Sequence, residues 1–145
     1  MKKKIICIFI VLAILFAGPA FAGNYASGVA KRMAAAKNIC DKKCAKEDSS
    51  SMYITRAAQS EYIEFLDNEL NAVYKRLITT LPQNEKIKLR NQERQWIKTR
   101  ENAAQKSSEE FEGGSLEIVE YGATYIKYSE KRLIQLANYY DRVHK

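Results

Sequence analysis

Histidine is almost missing from this chain: the single one, His144, lies one residue from the end. A fraying position holds no fixed geometry, so the usual general base and the usual neutral metal ligand are both excluded. No G-x-S-x-G pattern supports a serine nucleophile. Cysteine is nearly as scarce, with Cys7, Cys40 and Cys44 alone. Two cysteines four apart, without histidine partners, do not make a metal site, and C-x-x-x-C is a weak substitute for a redox C-x-x-C. No run combines period-two alternation with hairpin turn residues, so a sheet is not expected. Charges of the two signs are interspersed rather than blocked, which speaks against a nucleic-acid footprint. Neither an enzyme nor a cofactor is expected.

The one long hydrophobic run is at the start. Lys2, Lys3 and Lys4 precede an apolar stretch from Ile5 to Gly18, and Ala20-Phe21-Ala22 forms an A-x-A site. This is the pattern of a secretory signal peptide over residues 1–22, cleaved after Ala22 and too short for a stable membrane span. The mature protein is then expected to be periplasmic or secreted, with no transmembrane segment. Its 123 residues carry 21 basic and 17 acidic side chains, so the formal charge falls from +7 to +4. That length suits one core. In an oxidising compartment Cys40 and Cys44 can pair as a local clip. On a regular helix their Cα atoms would be roughly 6 Å apart, so a bridge favours a turn or a distorted helix.

The mature chain divides by composition. Residues 23–51 are rich in Ala, Lys and Ser; Ala26 to Lys46 has helical propensity but little to bury, so partial order is expected. Ser49-Ser50-Ser51 reads as a linker ending in an N-cap. Residues 52–141 read as a helical domain. Ile54, Ala58, Tyr62, Leu66, Leu70, Val73, Leu77 and Leu81 recur at steps of three and four, the mark of one apolar helix face. Pro82 opens a second helix carrying Leu89, Trp96, Ile97, Ala103 and Ala104. Gly113-Gly114 punctuates the chain, and Ser115 is expected to cap a third helix with Leu116, Val119, Ala123, Ile126, Leu133, Leu136 and Tyr140 on one side. The predicted fold is all-α: an antiparallel three-helix bundle with an additional, less-ordered N-terminal helix.

Three groups of residues stand out. Trp96 and Arg100 share a helical face, where the guanidinium can cover the indole, and Arg94 and Glu101 flank that seam. Glu109, Glu110 and Glu112 cluster ahead of the glycines and read as a solvated loop edge rather than a paired-carboxylate site. Tyr121, Tyr125, Tyr128, Tyr139 and Tyr140 crowd the last helix, and rings at its edge would suit a protein interface or a membrane surface.

Leu70-Asn71-x-x-Tyr74, then Leu89, then Arg94-x-Trp96-x-x-x-Arg100-Glu101, then Gly113-Gly114-Ser115 occur in that order. Over roughly Ala58 to Leu136 the chain resembles the LprI-like lysozyme-inhibitor domain family, whose members are small secreted or periplasmic helical proteins. The resemblance implies a protein partner, a lysozyme or another wall hydrolase. It also implies a bridge between a cysteine shortly after the Arg-acid pair and one after the double glycine. Here those positions fall on Ala104 and about Ala123, and a further family cysteine is replaced near Ala58. The loop from Lys106 to Ser115 therefore lacks the bridge that would fix it.

The expected function is thus a non-catalytic envelope protein that binds a lysozyme or similar hydrolase. Lys106 or Ser115 could engage the acid pair of the enzyme's cleft, with Glu109, Glu110 and Glu112 beside them. A +4 chain repels a strongly basic lysozyme at long range, and the acidic loop offsets this only locally. The alternatives are an adaptor with weak membrane-surface association, held by anionic lipid or wall polymer, and an immunity protein against a secreted toxin.

Overall fold

Four helices account for nearly all of residues 24–45 and 52–145, the part of the chain that the computed structural model describes. They are α1 (Tyr25–Ala45), α2 (Met52–Thr80), α3 (Gln83–Ser108) and α4 (Glu117–Val143), with a single 3-10 turn over Glu109–Phe111. There is no strand among the described residues. The leader, Cys7 and the serine linker lie outside the described residues.

The stripe read on α2 is the spine of the core. Ala58, Tyr62, Leu66, Leu70, Val73 and Leu77 are buried along it, Leu81 is buried just beyond its end, and Ile54 is half-exposed. Steps of four with a single three keep one side of a 3.6-residue helix turned inward. The stripe faces α4, where Leu133, Leu136 and Ala137 are fully or nearly fully buried. Cross-links from Gln59 to Val119 and from Tyr125 to Asp67 show that α2 and α4 run parallel. They form the central pair. α1 packs on both of them, whereas α3 packs on α4 and touches α2 little. The chain thus goes up, down, up, down, and α1 and α3 are antiparallel to the central pair.

Glycine matters at two places. A Cβ on Gly122 would lie 2.7 Å from Gln59 Oε1, so its absence lets α2 and α4 approach closely. Gly113 has φ +74°, a left-handed conformation that reverses the chain between the 3-10 turn and α4.

α1 fully buries only Val29 and Cys40, with Tyr25, Ala26, Met33, Ala36 and Cys44 partly buried against the core, and polar contacts add to this packing. Asp141 at the end of α4 accepts hydrogen bonds from the backbone N–H groups of Tyr25 (3.1 Å) and Ala26 (2.9 Å). A carboxylate there satisfies donors that the first turn cannot pair internally and complements the positive end of the helix dipole. Arg32 forks onto Glu69, and Lys43 pairs with Glu61. Glu130 accepts from both Lys37 (2.9 Å) and Tyr62 (2.8 Å), tying α1 to α2 and α4. The Tyr25 ring packs on Tyr140 at 4.8 Å and lies under Arg76.

The last helix departs from the sequence reading. Ser115 does not cap it: α4 begins at Glu117, with Leu116 as its N-cap residue and no side-chain cap bond. The Glu117 carboxylate instead reaches back to accept from the Gly113 N–H at 2.9 Å. Leu116 and Ala123 are exposed, and the inward positions belong to Gly122 and Ser129. Leu116 lies at the exposed tip, and Ala123 sits on the outward side of α4 next to buried Gly122. On α3, Ile97 is 44% exposed rather than buried, for a reason that becomes plain below.

Cys40 and Cys44 stand as free thiols on an unbroken helix. Burial, reinforced by Cys44 beside it, pushes the Cys40 thiol from its ordinary 9.0 up to about 11.

Two outcomes follow. Replacing Asp141 with Ala should cost about 1 kcal/mol in urea denaturation, the usual loss of a capping group, and should loosen α1 first in hydrogen exchange. In native protein at pH 8, a thiol reagent should label half-buried Cys44 well before Cys40. The unfolded chain ionises Cys40 first, so this group's contribution to stability is complete below about 9 and is lost as pH rises to about 11. Recovery of no reactive thiols in denaturant would reveal a bridge instead.

Candidate functional site

The motif residues converge on a groove. Because α3 touches α2 little, a cleft of about 500 Å³ opens between them, lined by Leu70, Asn71 and Tyr74 from α2 and by Arg94, Trp96 and Arg100 from α3, among others. Residues twenty or more positions apart thus share one surface. Leu89 lies elsewhere on α3, buried in the core.

Arg100 governs the geometry here. It is only 7% exposed, and its guanidinium sits 3.7 Å from the Tyr125 ring centre and 4.6 Å from that of Trp96. Two aromatic faces offer negative π-density to a weakly hydrated planar cation, which suits arginine and not lysine. Nη1 donates to Asp67 Oδ1 (3.1 Å) and to Ser129 Oγ (3.2 Å), and Nη2 donates to Glu101 Oε1 (3.3 Å). One side chain therefore joins α2, α3 and α4. Nε is buried without a partner. The surrounding groups are fixed in turn. Ser129 donates to the Tyr125 carbonyl at 2.8 Å, and Tyr121 donates to Glu101 at 2.6 Å. Burial pushes the Tyr125 hydroxyl up to about 12, with Asp67 reinforcing and Arg100 opposing the rise. It stays a neutral donor at physiological pH and bonds Asp67 at 3.2 Å.

A second ion pair closes the other side. Glu93 of α3 meets Arg132 of α4, both side chains 14% exposed. Asp67, Glu93, Ser129 and Arg132 thus belong to the site although the sequence reading gave them no role, and Tyr125, read there as one of the interface tyrosines, instead stacks on Arg100. Nothing local marks Asp67 as the group that meets Arg100, 33 positions away.

The expected partner-binding residues lie elsewhere. Lys106, Glu109, Glu110, Glu112, Gly113, Gly114 and Ser115 are all exposed at the tip joining α3 to α4. The tip is ordered without a disulfide. Ser107 Oγ donates to the Ala104 carbonyl (2.8 Å), Ser108 is buried, and Gly114 N–H closes onto the Phe111 carbonyl (2.9 Å). Ala104 is fully buried, whereas Ala123, its counterpart in the implied bridge, faces solvent. Two large apolar residues, Leu116 (37%) and Ile118 (51%), are exposed beside the acidic cluster. No group of three or more potential metal ligands occurs among the described residues. No helix among them is long and apolar enough to cross a membrane.

The fold is a small all-helical bundle with a motif-lined groove and an exposed tip. The model of the family described as Lysozyme inhibitor LprI matches residues 40–136, from the end of α1 through most of α4. The chain belongs to that family. Comparison with curated proteins and with solved structures finds no match.

Replacing Arg100 with Ala should destabilise the fold by about 3 kcal/mol in urea denaturation, the range for removing one partner of a buried ionic network. Lysine at this position should recover less than half of that, because it keeps the charge but loses the fork and the stacking.

Proposed function

We propose that this is a non-catalytic envelope protein that binds and inhibits a lysozyme or a similar cell-wall hydrolase. Membership in the lysozyme-inhibitor family carries this reading. The leader pattern over residues 1–22 supports a location outside the cytoplasm, where such enzymes act. The contact surface is the tip between α3 and α4. Leu116 and Ile118 supply an apolar centre, and Lys106, Glu109, Glu110, Glu112 and Ser115 supply a polar rim, the usual anatomy of a protein interface. An ordered tip enters a cleft without a large entropic cost. Lys106 or Ser115 then engages the catalytic carboxylates, while the three glutamates attract basic groups at the cleft's edge.

Two other readings are weaker. A membrane-surface adaptor would use free tyrosine hydroxyls, but those of Tyr121, Tyr125 and Tyr139 donate to Glu101, Asp67 and Glu85. An immunity protein would use the same physics on a toxin.

The test is lysis of cell walls by one basic animal lysozyme and one bacterial wall hydrolase. Mature protein from Gly23 onward is titrated into each. Stoichiometric loss of lysis is the expected outcome for at least one enzyme. Leu116→Glu with Ile118→Glu should then raise the concentration needed at least tenfold, about 1.4 kcal/mol. Lys106→Ala and Ser115→Ala should show which side chain meets the acid pair. Undiminished lysis by both enzymes at large molar excess would sink the proposal.

A further inference from the structure

The α2–α3 groove carries an unbalanced charge. Five ionic side chains line it: Asp67, Arg90, Glu93, Arg94 and Arg100. Asp67 is paired with Arg100, and Glu93 with Arg132. Arg90 and Arg94 are exposed and belong to no ion pair among the described residues. They stand one turn apart on the same helix, a spacing at which like charges destabilise. Between them and α2 lies apolar surface: Leu70, half-buried Tyr74 and Trp96, and Ile97 at 44% exposure. A hydrophobic centre with two uncompensated arginines at its edge is complementary to an acidic chain with an apolar anchor.

We propose that this groove is a docking site for an acidic segment of a partner protein. An aliphatic or aromatic side chain of that segment sits against Tyr74, Trp96 and Ile97, and its carboxylates pair with Arg90 and Arg94. Binding relieves the repulsion between the two arginines, and the charge-assisted pairs form at the margin of an apolar surface. The rigid Arg100 network behind the groove holds Trp96 in place before the ligand arrives. The site is separate from the tip and does not depend on hydrolase inhibition.

Trp96 is the only tryptophan in the chain, so its fluorescence reports on the groove directly. The probe is a displayed library of linear peptides selected on mature protein, followed by titration of the best synthetic peptide. Recovered peptides should be enriched in Asp or Glu next to Phe, Leu or Trp. The peptide should shift Trp96 emission saturably, and its Kd should weaken at least tenfold in Arg90→Glu with Arg94→Glu. Both residues are exposed, so the variant should keep its helical circular dichroism. Arg90→Gln with Arg94→Gln serves if charge reversal disturbs the fold, with an expected loss of at least threefold.

Selected peptides without acidic bias, or binding unchanged in both variants, would overturn the assignment. Concentration-dependent dimerisation abolished by the same substitutions would also overturn it, by making a second copy of the chain the occupant. Lysis assays on the arginine variants separate the two surfaces: unaltered inhibition with lost peptide binding leaves both proposals standing.

Discussion

The Arg100 guanidinium, held between the rings of Trp96 and Tyr125 and bonded to Asp67 and Ser129, is the constraint on which the rest depends. Burying a cation is costly unless its neighbours replace lost water. Here two π-faces, two carboxylates and a hydroxyl do so. The consequence is architectural. α3 packs on α4 but hardly on α2, so the Arg100–Asp67 bond holds the gap between them at a fixed width. A filled apolar seam would have closed the groove. An ionic tie spans it and leaves Ile97 and the edge of Trp96 at its surface, which is why Ile97 escaped burial.

The same economy appears on the opposite side of the bundle. α1 has few large apolar residues, and its apolar packing is supplemented by a cap from Asp141 and ion pairs to Glu61, Glu69 and Glu130. Exposed pairs of this sort contribute little singly. Convergence on Glu130, which also receives the Tyr62 hydroxyl, couples α1 to the central pair of helices more firmly than a lone contact would.

Charge is segregated on a chain whose formal net charge is +7. The tip between α3 and α4 gathers three glutamates, and the groove keeps two arginines with no ion pair among the described residues. Surfaces of opposite sign favour different partners. The long-range repulsion expected between a basic chain and a basic lysozyme therefore comes from the whole chain and not from the tip.

Local pattern fixed much of this fold. The α2 stripe, the break at Pro82 and the turn at Gly113-Gly114 depend on helical periodicity and backbone dihedrals, which neighbouring residues dictate. The stacking of Arg100 on Trp96 was legible for the same reason, being an i,i+4 relation on one helix. What tertiary structure decided was everything that joins distant positions. Asp67 as the partner of Arg100, Gly122 as the close-approach point, Asp141 as the cap of α1 and the exposure of Leu116 have no local signature. Each depends on where another helix lies and how far it extends. The sequence alone determined helices and turns because those are short-range properties; the groove exists only because two helices with inward stripes both chose α4 as their neighbour.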